Sequence, residues 1–284
     1  MKKNPYFCAT IFSMRIRLFI VLIILVLASS CGEYQKILKS TDADLKKEKA
    51  KEFYAEGQYV KSSELLGQIL PRYRATEEAE ELNWMYANSY FGMKDYFMAG
   101  SYFKTFVDQF PFGKHAEEAH FLVAMCDYNI SPRSELDQEN TKNALEEFNI
   151  FINRYTYSPK IDECKKMVIE LQDKLVEKSH NNAKLYYDMK EYKAAVVAIN
   201  NSLKQYANSS YREEMMYLKL NSLYFYALKS MPDKQKTRYQ DTLDDYYSFM
   251  EEFPKSKYSK DVADIFQKTN KFLKNGIPVT GVTN

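Results

Sequence analysis

Helix-breaking residues are scarce in this chain, with eight glycines and eight prolines among 284 residues. Aromatics reach 15%, a composition that fits tightly packed helices because tyrosine fills seams while its hydroxyl stays wet. Histidine is rarer: His115, His120 and His180 are the only three. None of them shows the His-x-x-x-His or His/Cys spacing of a zinc site. The sequence has no Gly-rich phosphate loop, no Gly-x-Ser-x-Gly elbow and no Cys-x-x-Cys, so it is read as a non-enzyme without metal or small-molecule cofactor. Carboxylate pairs such as Glu117/Glu118, Glu146/Glu147 and Asp244/Asp245 are adjacent on helices, diverge, and read as solvated faces. An excess of one charge is missing as well. Four of the 40 Lys+Arg and none of the 38 Asp+Glu lie in the first thirty residues, leaving 36 against 38 in the rest. That balance gives no electrostatic case for nucleic acid, whose binding needs concentrated basic surface.

Long apolar runs are limited to one, Leu18 to Leu27, preceded by Lys2, Lys3, Arg15 and Arg17 and followed by Ala28-Ser29-Ser30-Cys31. A membrane-spanning helix needs about 20 apolar residues. A basic start, a shorter apolar stretch and small residues before a cut site describe a secretory leader over residues 1–30. Met14 begins a better-proportioned leader than Met1. Cys31 after small residues resembles the lipobox cysteine of bacterial lipoproteins, which carries the acyl chains; Ala28 stands where that motif usually has Leu. Multiple acylation would hold the chain on a membrane. Gly32, after Cys31, is not the Asp that often signals inner-membrane retention, and no dense acidic tract follows. The expected location is therefore the outer membrane, lipid-anchored and facing the periplasm. Of the other cysteines, Cys8 falls in the leader, while Cys126 and Cys164 lie on different helices and are expected as buried free thiols, with pairing left open.

What the chain has in abundance is one repeated helical stripe. A small residue is followed at +4, +7 and +11 by larger, mostly aromatic ones: Ser62/Leu66/Ile69/Tyr73, Ala99/Phe103/Phe106/Phe110, Ala144/Phe148/Phe151/Tyr155, Ala195/Ile199/Ser202/Tyr206 and Thr242/Tyr246/Phe249/Phe253. These offsets keep one face of a 3.6-residue helix. Twelve and nine positions before the small residue stand Ala50 and Phe53, Ala87 and Tyr90, and Ala183 and Tyr186, which lets a preceding helix pack closely. Pro111 and Pro254 end two of the second helices. Together these are the small, aromatic, small, aromatic and proline positions of the tetratricopeptide repeat. The expected fold is all-α, a solenoid of about five helix pairs with a C-terminal cap helix.

The organisation expected from this pattern is a lipidated tether at 31–42, N-terminal repeats 1–3 at 43–156, C-terminal repeats 4–5 and cap at 157–275, and a loose tail at 276–284. Ser40-Thr41-Asp42 reads as an N-cap. A polar, proline-broken insertion over 129–138 interrupts the third repeat. The stretch from Pro159 to Asp188 reads as one long helix bridging two halves, and a further break falls near Met231-Pro232-Asp233. Helix-A positions of the first two repeats place Lys47, Lys51, Tyr54, Trp84, Asn88 and Phe91 on the concave side. Lysines beside stacked rings suit a peptide ending in an aromatic residue and a free carboxylate. The competing reading is that Trp84 and Phe91 pack between repeats.

These residues, together with Asp108-Gln109-Phe110-Pro111-Phe112-Gly113, Asn153-Arg154-Tyr155 and an insertion holding Asp137-Gln138 before Ala144 and Phe148, resemble the BamD family. That resemblance covers essentially the whole chain after the leader. It implies a non-catalytic lipoprotein scaffold of the machinery that folds β-barrel proteins into the outer membrane. Its N-terminal repeats would recognise the targeting segments of unfolded outer-membrane proteins, and its C-terminal repeats the periplasmic domains of a BamA-like barrel subunit. Tyr211-Arg212-Glu213-Glu214 is similar to a family stretch in which an arginine supports that contact, making Arg212 the partner-binding candidate. The break near Met231 and the long C-terminal helix depart from better-known members. A general periplasmic tetratricopeptide adaptor for cell-wall or polysaccharide-export machinery is the alternative, with a glycan-binding surface lipoprotein behind it.

Overall fold

The computed structural model describes residues 32–275. The leader at 1–30, the acylation candidate Cys31 and the tail at 276–284 lie outside the described residues. Twelve helices and no strand occupy the described chain: α1 (32–39), α2 (Ala43–Ala55), α3 (Tyr59–Tyr73), α4 (Ala79–Gly92), α5 (Tyr96–Gln109), α6 (Ala116–Ile130), α7 (Glu139–Arg154), α8 (Ile161–Asp188), α9 (Tyr192–Gln205), α10 (Arg212–Leu228), α11 (Pro232–Glu252) and α12 (Ser259–Asn275). They form the expected five pairs, α2/α3 to α10/α11, with α12 as the closing helix. The described chain divides into two compact units, one holding residues 32–130 with Glu146–Ser158, the other Ser131–Leu145 with residues 159–275.

The repeat stripe is the core. Its small residues Ser62, Ala99, Ala144, Ala195 and Thr242 are all fully buried. In the first pair the Ser62 hydroxyl donates to the Ala50 carbonyl at 2.9 Å, so two small residues bring the backbones of α2 and α3 together. The +4 and +7 rings Phe103, Phe106, Phe148, Phe151 and Phe249 are buried. At +11, Phe110, Tyr206 and Phe253 are C-caps whose amides reach back one turn, and Pro111 and Pro254 follow where no amide donor is needed. The turns between paired helices close on Tyr59, Tyr96 and Tyr192, each the first residue of its helix. Gly57, Lys94 and Lys190 take the left-handed turn position, with φ of 72°, 62° and 62°.

Three local features differ from the sequence reading. Residues 32–39, expected within a tether, are helical because Ile37 finds a buried place with Leu65 and Leu66. Asp42 does cap α2, accepting from the Leu45 amide at 3.0 Å. The long helix from Pro159 is α8, the first helix of the fourth pair, and falls wholly within the second unit. The break at Met231 is simply the turn of the fifth pair, with Pro232 opening α11 at a position that tolerates it. The insertion after Ile130 is ordered by its own polar groups: the Gln138 amide donates to the carbonyls of Arg133 and Leu136 at 2.9 and 3.0 Å. Lys174 and Lys178 then tie it to α8 through Ser131 Oγ at 2.7 Å and the Leu136 carbonyl at 2.6 Å.

Candidate functional site

All six concave-side candidates lie in the first unit and are half-buried. The structure does not leave the two lysines free. Glu78, immediately before α4, takes both: Lys47 Nζ is 2.7 Å from Oε2 and Lys51 Nζ is 3.2 Å from Oε1. Lys47 holds the Glu78 carboxyl below its usual range and is itself held charged to higher pH by Glu78. Lys47 also lies 3.5 Å from Asp44 and 5.0 Å above the Tyr73 ring. Glu78 was missed in the sequence, although a carboxylate at a helix N-terminus is where the macrodipole favours one.

Trp84 packs between repeats. Its indole stacks on the His115 imidazole with centroids 4.4 Å apart and planes 5° off parallel, and leans on Phe103 and Phe106. His115 in turn meets Glu81 at 3.2 Å through Nε2, while its amide donates to Glu80 at 3.1 Å. Phe91 sits edge-on to Tyr96 and Phe103, and the Asn88 amide bonds the Trp84 carbonyl one turn back. Tyr54 meets Tyr59 edge-on, and burial, with smaller contributions from Tyr59 and Glu81, pushes its phenol up. The two lysines thus meet at Glu78, Tyr54 packs on Tyr59, and Trp84, Asn88 and Phe91 make their contacts among α4, α5 and His115. All six are half-buried, and the Lys47 side chain, 13% exposed, is more covered than that of Lys51 at 37%.

In the second unit Arg212 makes a two-pronged pair with Glu252 through Nε to Oε1 and through Nη2 to Oε2 at 2.9 Å. A further prong reaches the Ala207 carbonyl at 3.2 Å, so the arginine joins the start of α10 to the end of α11. Beside it Tyr211 stacks on the buried His180 ring at 4.1 Å, and Glu214 Oε2 lies 3.4 Å from His180 Nε2 without hydrogen-bond geometry. A groove of about 520 Å³, also unforeseen, is lined by Tyr192, Tyr217, Tyr224, Phe225, Lys229 and Asp261 among others.

Cys126 and Cys164 are both buried free thiols. Among the described residues no group of three or more His, Cys, Asp or Glu is placed to hold a metal ion, and no helix is long and apolar enough to cross a membrane.

The sequence matches a family described as YfiO, outer membrane lipoprotein, over residues 42–222 and again over 180–275. No curated protein matches it. Among solved structures, the TPR2AB domain of yeast Sti1 in a complex with pHSP90 is similar over 80% of this chain and 98% of that one, at 11% identity and a TM-score of 0.36.

Proposed function

We propose, on the premise that this chain belongs to the YfiO family of outer membrane lipoproteins, that it is a non-catalytic scaffold of the β-barrel assembly machinery. In this reading acyl chains on Cys31 hold it at the periplasmic face of the outer membrane. The first unit receives targeting segments of unfolded barrel proteins, and the second docks on the periplasmic domains of a BamA-like barrel subunit beside Arg212. The observation that carries the substrate half is the pair of lysines on Glu78. Two lysines already hold one carboxylate there, so an incoming peptide carboxylate exchanges for Glu78 and does not enter a vacant charged site. The Lys51–Glu78 arm is more than a third exposed, and exposed ion pairs contribute only about 0–1 kcal/mol each, so opening that arm to a peptide carboxylate is close to balanced, while Lys47 is more covered. Weak, reversible capture follows, which suits a client that must be passed on. Tyr54 and the open edge of Trp84 give its terminal ring somewhere to pack.

Affinity purification of the detergent-extracted protein from its own envelope tests the whole reading. Recovery of a large outer-membrane barrel protein with repeated periplasmic domains supports it. Recovery of cell-wall or polysaccharide-export components instead replaces it with the general adaptor reading. The substrate half is tested by titrating a peptide with a C-terminal aromatic residue while following Trp84, the only tryptophan. Glu78→Gln frees both lysines and is expected to tighten binding, whereas amidation of the peptide terminus abolishes the gain; equal affinity for all combinations would sink the carboxylate exchange.

A further inference from the structure

The packing of α1 fixes where the chain emerges from the first unit. Tyr34 meets Phe53 edge-on with ring centroids 5.7 Å apart, its hydroxyl bonds Glu64, and Lys61 Nζ lies 5.5 Å from its ring. Phe53 is two residues from the end of α2 and Lys61 is the third residue of α3. The first turn of α1 is therefore pinned beside the α2–α3 turn, and Gly32 is two residues further back. Cys31 follows one peptide unit, about 3.8 Å, before that. With 32–39 folded as a helix, no slack chain separates the candidate lipid from the turn edge of the unit.

That edge carries apolar side chains without cover in the unit. Val60 and Phe97, the second residues of α3 and α5, are 57% and 74% exposed. Between the two turns lies a hollow of about 340 Å³ lined by Gly57, Tyr59, Val60, Gly92 and Met93 with Gln58 and Lys61. Charge at the edge is mixed, Lys61 and Lys94 against Glu33, Glu56 and Asp95. At the far end of α5, about 20 Å away along 14 helical residues, Phe112 is 95% exposed; Tyr157, 100% exposed, is on the neighbouring loop, joined to it by Arg154 bonding the Pro111 carbonyl.

We propose that the α2–α3 and α4–α5 turns form the membrane-facing edge of the first unit, with Val60 and Phe97 seated at the headgroup–acyl boundary. The inference rests on the reading of Cys31 as the anchor and goes beyond it, because it assigns an orientation and two contact residues. The anchor sets the height of the turn edge, and apolar side chains held there by rigid helices enter the interface. With no excess of lysine at the edge, the contact does not depend on anionic lipid. Phe112 and Tyr157 stand away from the bilayer.

The test uses the lipidated protein in phosphatidylcholine vesicles, with an environment-sensitive fluorophore on Val60→Cys, Phe97→Cys, Phe112→Cys or Tyr157→Cys; Cys126 and Cys164 are buried and do not compete. Mass spectrometry reports acylation of Cys31 separately. Labels at 60 and 97 are expected to shift to the blue and lose intensity to a lipid-borne quencher, while those at 112 and 157 do neither, with the same pattern when phosphatidylglycerol is added. Acylated protein whose labels at 60 and 97 report water, or are shielded from water but untouched by the lipid quencher, overturns the orientation and leaves the anchor intact. Quenching at 112 and 157 reverses the orientation and overturns it too. Protein without acyl chains overturns the anchor reading and this proposal with it.

Discussion

Two glycine-to-alanine substitutions in the first unit should act with opposite sign. A Cβ added at Gly67, inside α3, meets only Tyr86, with Cε2 and Oη at 3.5 Å, an ordinary contact. Gly67→Ala therefore gains the difference in helix propensity, about 0.8–1 kcal/mol. Gly92 ends α4 directly against the Tyr59 ring, where a Cβ would lie 2.7 Å from Cζ and nearer still to Cδ2 and Cε2. Tyr59 is held edge-on by Tyr54 and opens α3, so the ring cannot swing clear without opening the first pair. Overpacking of this kind costs about 1–3 kcal/mol, and the propensity gain at a last helical residue recovers only part of it. The net expectation is about 1–2 kcal/mol of destabilisation. Trp84, the only tryptophan, lies in the same unit against His115, so its fluorescence during urea unfolding reports this unit alone. With a slope of about 2 kcal/mol per molar urea, the Gly67→Ala midpoint rises by about 0.5 M and that of Gly92→Ala falls by about 0.5–1 M. Midpoints moving in the same direction would refute the packing argument.

Three further outcomes test the second unit and the thiols. Asp245, read from the sequence as part of a solvated face, is instead buried against Lys219, whose Nζ is 2.5 Å away, and burial raises its pKa against the pull of that lysine; Lys219→Ala leaves the carboxylate uncompensated and should cost about 3 kcal/mol. The raised pKa means that Asp245 favours the folded state below the unfolded carboxylate range and that this contribution is lost as pH rises through the folded value. Hydrogen exchange in α11 at pH 7 should therefore show Lys219→Ala clearly loosened, with partial recovery at low pH, and an unchanged exchange rate would sink the account. Arg212→Glu should lose about 1 kcal/mol with the Glu252 pair. Combining it with Glu252→Arg restores thermal stability if the pair is structural, yet still abolishes capture of the barrel subunit if the arginine itself docks; recovery of both would remove Arg212 from the interface. Burial pushes the Cys126 thiol up to about 12 and that of Cys164 up to about 11, so at pH 8 about one Cys126 in 10⁴ is thiolate. Neither should react with a thiol reagent until urea is added, and fast native labelling would contradict the burial.

The five stripes were legible from residue order alone because a 3.6-residue period turns spacing into a face, and a small residue opposite a small residue lets two helices meet. That reasoning located α2 to α11 and the turn tyrosines, and put Lys47, Lys51, Tyr54, Trp84, Asn88 and Phe91 on the first helices of the first two pairs. It could not say what each of them touches. Glu78 reaches back to Lys47 and Lys51 across 31 and 27 residues of chain, and His115 comes to Trp84 from the next helix pair; neither spacing belongs to any helical period. The same holds for Arg212, forty residues from the Glu252 it grips. Residues 32–39 read as tether because one buried isoleucine is too weak a pattern by itself, and only the surface offered by Phe53, Leu65 and Leu66 makes them a helix. Sequence determined the repeated architecture, since local periodicity and side-chain size are carried by neighbours along the chain. The tertiary structure decided which charges are already paired, which rings pack on which, and where α1 seats on the first unit, because each depends on groups that only folding brings together.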